Sequence, residues 1–192
     1  MKIGIFGGTF NPPHIGHLIV VEHVRQSMGL TKVIFVPAAV APHKREMEII
    51  EPHHRAEMLR RATNGNDAFE VSDIEIRRGG ISFSVNTLQE FKKIYPNDLM
   101  HLIIGMDNLT EFHTWREPEK IIGLAGIIAM TRPGVSLNMA QIPLGEKITL
   151  CEVPEIAISS SEIRKRVREG KPIRYLVPVS VAEYIREHRL YL

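Results

Sequence analysis

The strongest constraint in this chain is how it starts: a strand, a glycine turn and a helix within thirty residues. Residues 2–6 are mainly apolar and run straight into turn residues, so they read as a short buried strand. Phe6-Gly7-Gly8-Thr9-Phe10-Asn11-Pro12-Pro13-His14-Ile15-Gly16-His17 comes next. Leu18 to Met28 then read as an amphipathic helix stopped by Gly29. The alternation continues downstream. Further strands are expected at 32–36, 70–76, 100–104, 126–129 and 148–153, with helices at 16–28, 52–63, 84–94, 117–123, 160–169 and 179–188. Such alternation predicts an α/β fold, a Rossmann-like doubly wound parallel sheet with right-handed crossovers. The residues from about 157 form a helical C-terminal portion of what reads as one domain spanning 1–192.

In an open parallel sheet the crevice beyond the strand ends is where nucleotides bind. Two glycines let the backbone approach phosphate, and a helix start adds unpaired N–H groups and partial positive charge. His14 and His17, three residues apart, fall on one face of that first helical turn. Taken alone, each has an ordinary reading, as a polar helix-start residue and a satisfied core histidine. Their shared spacing with the glycine turn points to phosphate handling. A metal-ligand reading of the pair lacks a third ligand, and HExxH is absent.

Composition excludes more than it assigns. With 192 residues and 44% hydrophobic content the chain can bury one compact core. A net charge of +2 argues against a dedicated nucleic-acid binder. The longest mainly apolar run, residues 121–130, is too short for a membrane span and no secretory signal is present. Cys151 is the single cysteine and sits among strand residues, which suggests a buried core thiol and a reducing cytoplasm. Two long loops, 37–51 and 131–147, interrupt the pattern; the first is rich in proline, histidine and lysine.

A second element lies far downstream, Ile158-Ser159-Ser160-Ser161-Glu162-Ile163-Arg164. Ser160-Ser161-Glu162 opens a helix, where serine caps well and backbone N–H groups point outward. Arg164 then lies within reach of a bound phosphate. An ordinary capping box with a solvated arginine fits the same spacing.

His14-x-Gly16-His17 resembles the (H/T)xGH element of the nucleotidyltransferases related to class I aminoacyl-tRNA synthetases, and residues 158–164 are similar to that superfamily's ISSTxIR segment. The words Gly7-Gly8-Thr9-Phe10-Asn11-Pro12-Pro13, Pro42-His43-Lys44, Ser82-Phe83-Ser84 with Thr87-Leu88, and Gly105-Met106-Asp107 with Trp115 narrow the resemblance to the bacterial nicotinate-mononucleotide adenylyltransferases, over nearly the whole chain. The resemblance implies adenylyl transfer from ATP to nicotinate mononucleotide by direct attack of the substrate phosphate. It implies His14, His17 and Arg164 as catalytic residues. Gly7, Gly8, Thr9, Phe10, Gly105, Arg132, Ile158, Ser159, Ser160 and Ser161 would bind ATP, with Mg2+ carried on the triphosphate rather than in a protein cage.

For the mononucleotide the resemblance implies His43, Lys44, Ser84, Thr87, Asp107 and Trp115. His43-Lys44-Arg45 offers positive charge for a phosphate, or forms a basic surface loop. Trp115 supplies an aromatic face for a pyridine ring, or belongs to the core. Asp107 faces ribose hydroxyls or caps a helix. Ser84, at a helix start, offers N–H groups to the nicotinate carboxylate. His53-His54-Arg55 reads as structural or surface, with Arg55 available to order the basic loop. Two departures from the family pattern, serine at 84 and arginine at 116, leave the preference for acid over amide open. Two other readings stay in play: transfer to another phosphate acceptor such as phosphopantetheine, and a nucleotide-binding protein without turnover. A homo-oligomer remains open.

Overall fold

The computed structural model describes residues 1–41, 49–131, 134 and 147–192. Six strands, β1 (Lys2–Gly8), β2 (Lys32–Pro37), β3 (Phe69–Val71), β4 (Leu99–Gly105), β5 (Gly126–Thr131) and β6 (Ile148–Glu152), form one sheet in the order β3-β2-β1-β4-β5-β6. Every pairing is parallel. Each connection must therefore cross a face of the sheet, and the helices are what cover it. The four central strands, β2, β1, β4 and β5, read as mainly apolar runs because both of their faces are buried.

One face is covered by α1 (Ile15–Ser27) and α2 (Pro52–Thr63), which pack Val21, Val24 and Leu59 against Val33, Phe35, Ile103 and Ile128. The opposite face takes α3 (Ile74–Arg78), α4 (Ser84–Ile94), α5 (Met106–Thr110) and α6 (Pro118–Leu124), whose Val85, Leu88, Leu109 and Ile121 close over Ile3, Ile5, Ile34 and Ile104. A third cluster joins α2 to the C-terminal helices α7 (Ser160–Arg168) and α8 (Val179–Glu187) through Met58, Ile163, Val181 and Ile185. Cys151 is buried in the cluster under α1 and α2, as its strand setting suggests.

Helix ends follow the sequence. Past α1, Gly29 sits at φ 60, and the Gly29 N–H to Gln26 and Leu30 N–H to Arg25 bonds reverse the chain. Gly170, at φ 65, stops α7 in the same way.

One expected strand is cut short and followed by a helix. Of residues 70–76, only Glu70 and Val71 belong to β3 (Phe69–Val71); Ile74–Arg78 is helical. The chain turns at Ser72, whose N–H donates to the Phe35 carbonyl, and Asp73 accepts from Arg77 across the new turn. Ile74 and Glu75 are then both buried, adjacent residues that a strand would send to opposite faces. Also new to the structure are α5 and the 3-10 turn Phe112–Thr114, both too short to carry a period.

The chain leaves the sheet centre in opposite directions, from β1 to β2 and β3, and later from β4 to β5 and β6. The switch lies between β1 and β4, and a crevice opens at their C-terminal ends.

One buried cation fastens the loops around that crevice. Arg55 is 1% exposed. Its guanidinium donates to the carbonyls of Thr9 (2.8 Å), Ala38 (2.6 Å), Ala39 (3.2 Å) and Ile50 (3.1 Å). The expected ordering role of Arg55 thus reaches the loop after β1 as well as both ends of the loop after β2. Replacing it by leucine leaves four carbonyls without this donor. Arg55→Leu should lower stability by about 3 kcal/mol in urea denaturation, with an unchanged m-value. Arg55→Lys, lacking the planar fork, should recover less than half of that loss.

Candidate active site

The crevice holds two adjoining cavities of about 490 and 390 Å³. They share a wall made of Phe6, Gly7, Gly8, Thr9, Gly105 and Asn108, the ends of β1 and β4. They are two compartments of one cleft with a seam at the glycine-rich strand ends.

The first compartment gathers both motifs. It is lined by Gly7, Gly8, Thr9, Phe10, His14, His17 and Gly105 from the sheet side, and by Ile158, Ser159, Ser160, Ser161 and Arg164 from the start of α7. Almost every expected residue of the two motifs therefore meets in one place, across about 150 residues of chain. Asn11, Asn108 and Met130 also line it, and sequence reasoning missed them.

His14 is the N-cap of α1, and its pairing with His17 is reciprocal. His14 Nδ1 accepts the His17 backbone N–H (3.3 Å), and His17 Nδ1 accepts the His14 backbone N–H (3.1 Å). The two rings stack with centroids 3.6 Å apart. Because each Nδ1 is an acceptor, each neutral ring carries its proton on Nε2. Capping thus fixes the tautomer of both imidazoles.

The start of α7 is tied to the loop before α1 from the other side. Ser159 caps α7 by accepting the Glu162 N–H. Ser160 Oγ donates to the Pro12 carbonyl (2.8 Å), and Arg164 donates to the Asn11 carbonyl (2.9 Å). The spacing that suggested a serine cap holds, with the cap one residue earlier than Ser160.

The second compartment is lined by Ser82, Phe83, Ser84, Trp115 and Arg116, with Glu75 in its wall. Trp115 is half-buried and packs on Phe112, ring centroids 5.4 Å apart. Arg116 lies 4.8 Å over the Phe83 ring. Two expected residues lie elsewhere. Thr87 is buried behind the wall, where its hydroxyl donates to Glu75 (2.5 Å) and accepts from Arg78 (3.1 Å). Asp107 is exposed in the first turn of α5, and Asn108 takes its place on the cleft lining. His43, Lys44 and Arg132 lie outside the described residues.

Burial pushes the Glu75 carboxyl above the ordinary range, against the opposing pull of Thr87, Ser82 and Arg78. No simple pattern marks this residue in the sequence, because its burial depends on the unexpected helix α3.

Known proteins resemble this chain along its whole length. The cytidylyltransferase-like family model matches residues 5–166. A Desulfitobacterium hafniense (strain Y51) protein named "Probable nicotinate-nucleotide adenylyltransferase" is 44% identical over 197 aligned residues, covering 99% of this chain and 95% of that protein. A Salinibacter ruber protein of the same name is 40% identical and covers 100% and 98%. The chain belongs to the nicotinate-nucleotide adenylyltransferase family. Its fold also matches the Plasmodium falciparum nicotinic acid mononucleotide adenylyltransferase complexed with NaAD, with a TM-score of 0.80 at 22% identity, over 99% of this chain and 97% of that one.

In this nicotinate-nucleotide adenylyltransferase family member, burial holds the His14 pKa down at about 4, from 6.5. As pH falls below 6.5, the unfolded chain takes up a proton at this ring that the folded chain refuses. The stability of the neutral, capped ring is therefore fully present above pH 6.5 and is lost as pH falls towards 4, by up to about 3 kcal/mol. Melting temperature should drop over that window. His14→Asn, which keeps an acceptor at the cap, should melt with a shallower pH slope.

Proposed function

We infer that this chain joins ATP to nicotinate mononucleotide, forming nicotinate adenine dinucleotide and releasing pyrophosphate. The observation that carries the reading is the two-part cleft. A histidine- and arginine-lined compartment suits a triphosphate, a tryptophan-lined compartment suits a pyridine ring, and they meet at a glycine seam.

The chemistry requires no protein nucleophile. A phosphate oxygen of the mononucleotide attacks the α-phosphorus of ATP; one P–O bond forms and the α–β bridging bond breaks, with its electron pair leaving on pyrophosphate. The protein must bring two anions together, align them and meet the charge that develops. The His14 and His17 Nε2–H groups and Arg164 are suited to the phosphates. The backbone around Gly7, Gly8, Thr9 and Phe10 allows close approach at the reacting centre. The first compartment's lining among the described residues has no carboxylate, so its donors fit a triphosphate that brings its own Mg2+.

The second compartment fits the mononucleotide through Trp115 beneath the pyridine ring and the Ser84 backbone at the start of α4. The N–H groups of that helix start suit the nicotinate carboxylate and so favour the acid over the amide; Arg116 lines the same compartment, 3.7 Å from Glu117. ATP as substrate and a buried free thiol suit a cytoplasmic setting.

Pyrophosphate release with ATP and magnesium should be strong with nicotinate mononucleotide and weak with nicotinamide mononucleotide or phosphopantetheine. Silence with all three would leave a binding protein, and activity with phosphopantetheine alone would move the acceptor assignment. His17→Ala should lower kcat about 100-fold with little change in the mononucleotide KM. Trp115→Ala should do the reverse, raising that KM about ten-fold, a cost typical of losing one stacked ring.

A further inference from the structure

The segment after α8 reaches back to the first compartment. Arg189 and Tyr191 both adopt left-handed backbone, at φ 50 and 66, and Leu190 between them is buried among Met58, Ile163 and Ile185. Two non-glycine residues at positive φ are costly and persist only when their surroundings demand it. What this turn delivers is the Tyr191 hydroxyl, which donates to Asn11 Oδ1 at 2.9 Å. Asn11 is 4% exposed and lines the histidine compartment, and its backbone carbonyl accepts from Arg164. Burial raises the Tyr191 pKa against the pull of the Arg164 and Arg55 guanidiniums, so the phenol keeps its proton and remains a donor.

We propose that Tyr191 is a positioning residue for adenylyl transfer, acting through Asn11 to hold the segment between Phe10 and His14 against Arg164. This rests on the reaction proposed above. Three further ties come from the same C-terminal portion: Arg164 to the Asn11 carbonyl, Ser160 to the Pro12 carbonyl and the Leu176 carbonyl to the Ile15 N–H. The tyrosine tie reaches the Asn11 side chain, and Tyr191 is not among the described residues that line the cleft.

The test is steady-state pyrophosphate release by the full chain and by Tyr191→Phe, which keeps the ring and removes only the hydroxyl. Measurements run at a fixed interval below each variant's own melting midpoint. The expected result is a kcat about ten-fold lower, the loss of roughly one hydrogen bond, with both KM values within about two-fold of the parent. In the Asn11→Ala background the same substitution should produce no further fall. A parental kcat in Tyr191→Phe, a loss confined to KM, or a fully additive loss with Asn11→Ala overturns the proposal alone. A parent chain that releases no pyrophosphate overturns the reaction reading and the proposal with it. Tyr184→Phe, which removes a hydroxyl bonded to His54 away from the cleft, should keep the parental kcat.

Discussion

Arg55 is the interaction on which the cleft depends. A guanidinium removed from water is costly, and here four carbonyl oxygens compensate it. Those carbonyls belong to loops that no regular secondary structure would otherwise fix: one after β1, one at each end of the connection from β2 to α2. Burial lowers the Arg55 pKa, opposed by Tyr191 and Glu75, yet a guanidinium starts so high that it stays charged. Once these loops are set, the glycine seam lies at the mouth of the sheet, and both compartments inherit their shared wall from it.

The same economy governs the histidines. In most helices the N-cap and the residue three positions on satisfy orphan backbone N–H groups with serine, aspartate or glutamate. Here two imidazoles do so with Nδ1, which places the proton of each neutral ring on Nε2. Helix start and cleft lining are one structure. The C-terminal helices complete it by bonding to the carbonyls of Asn11 and Pro12, so the two motifs are rigidly related although they lie far apart in sequence.

Much of this was legible in the residues. Strand–helix alternation pointed to the sheet and the glycine–histidine spacing to the turn after β1, because those signals are local, whereas the family resemblance brought residues 158–164 to the same compartment. The failures share a physical cause. Residues 70–76 carry Val71, Ile74 and Ile76 like a strand candidate, but the chain turns at Ser72 and continues as α3, which only tertiary packing reveals. Arg55 reads as structural or surface with a role in ordering the basic loop, but its full set of partners, at positions 9, 38, 39 and 50, shows only in the fold. Thr87 carries a family word yet bonds to Glu75 behind the wall, and the Asn11 side chain accepts a hydrogen bond from Tyr191, 180 residues away.

A cleft with two compartments and one seam also shapes what happens after bond formation. Two separate substrates each lose their own translational freedom on binding, whereas a joined molecule spanning both compartments loses it once. A dinucleotide spanning both compartments would therefore be gripped more tightly than either of its halves, and its accumulation would oppose the entry of both substrates.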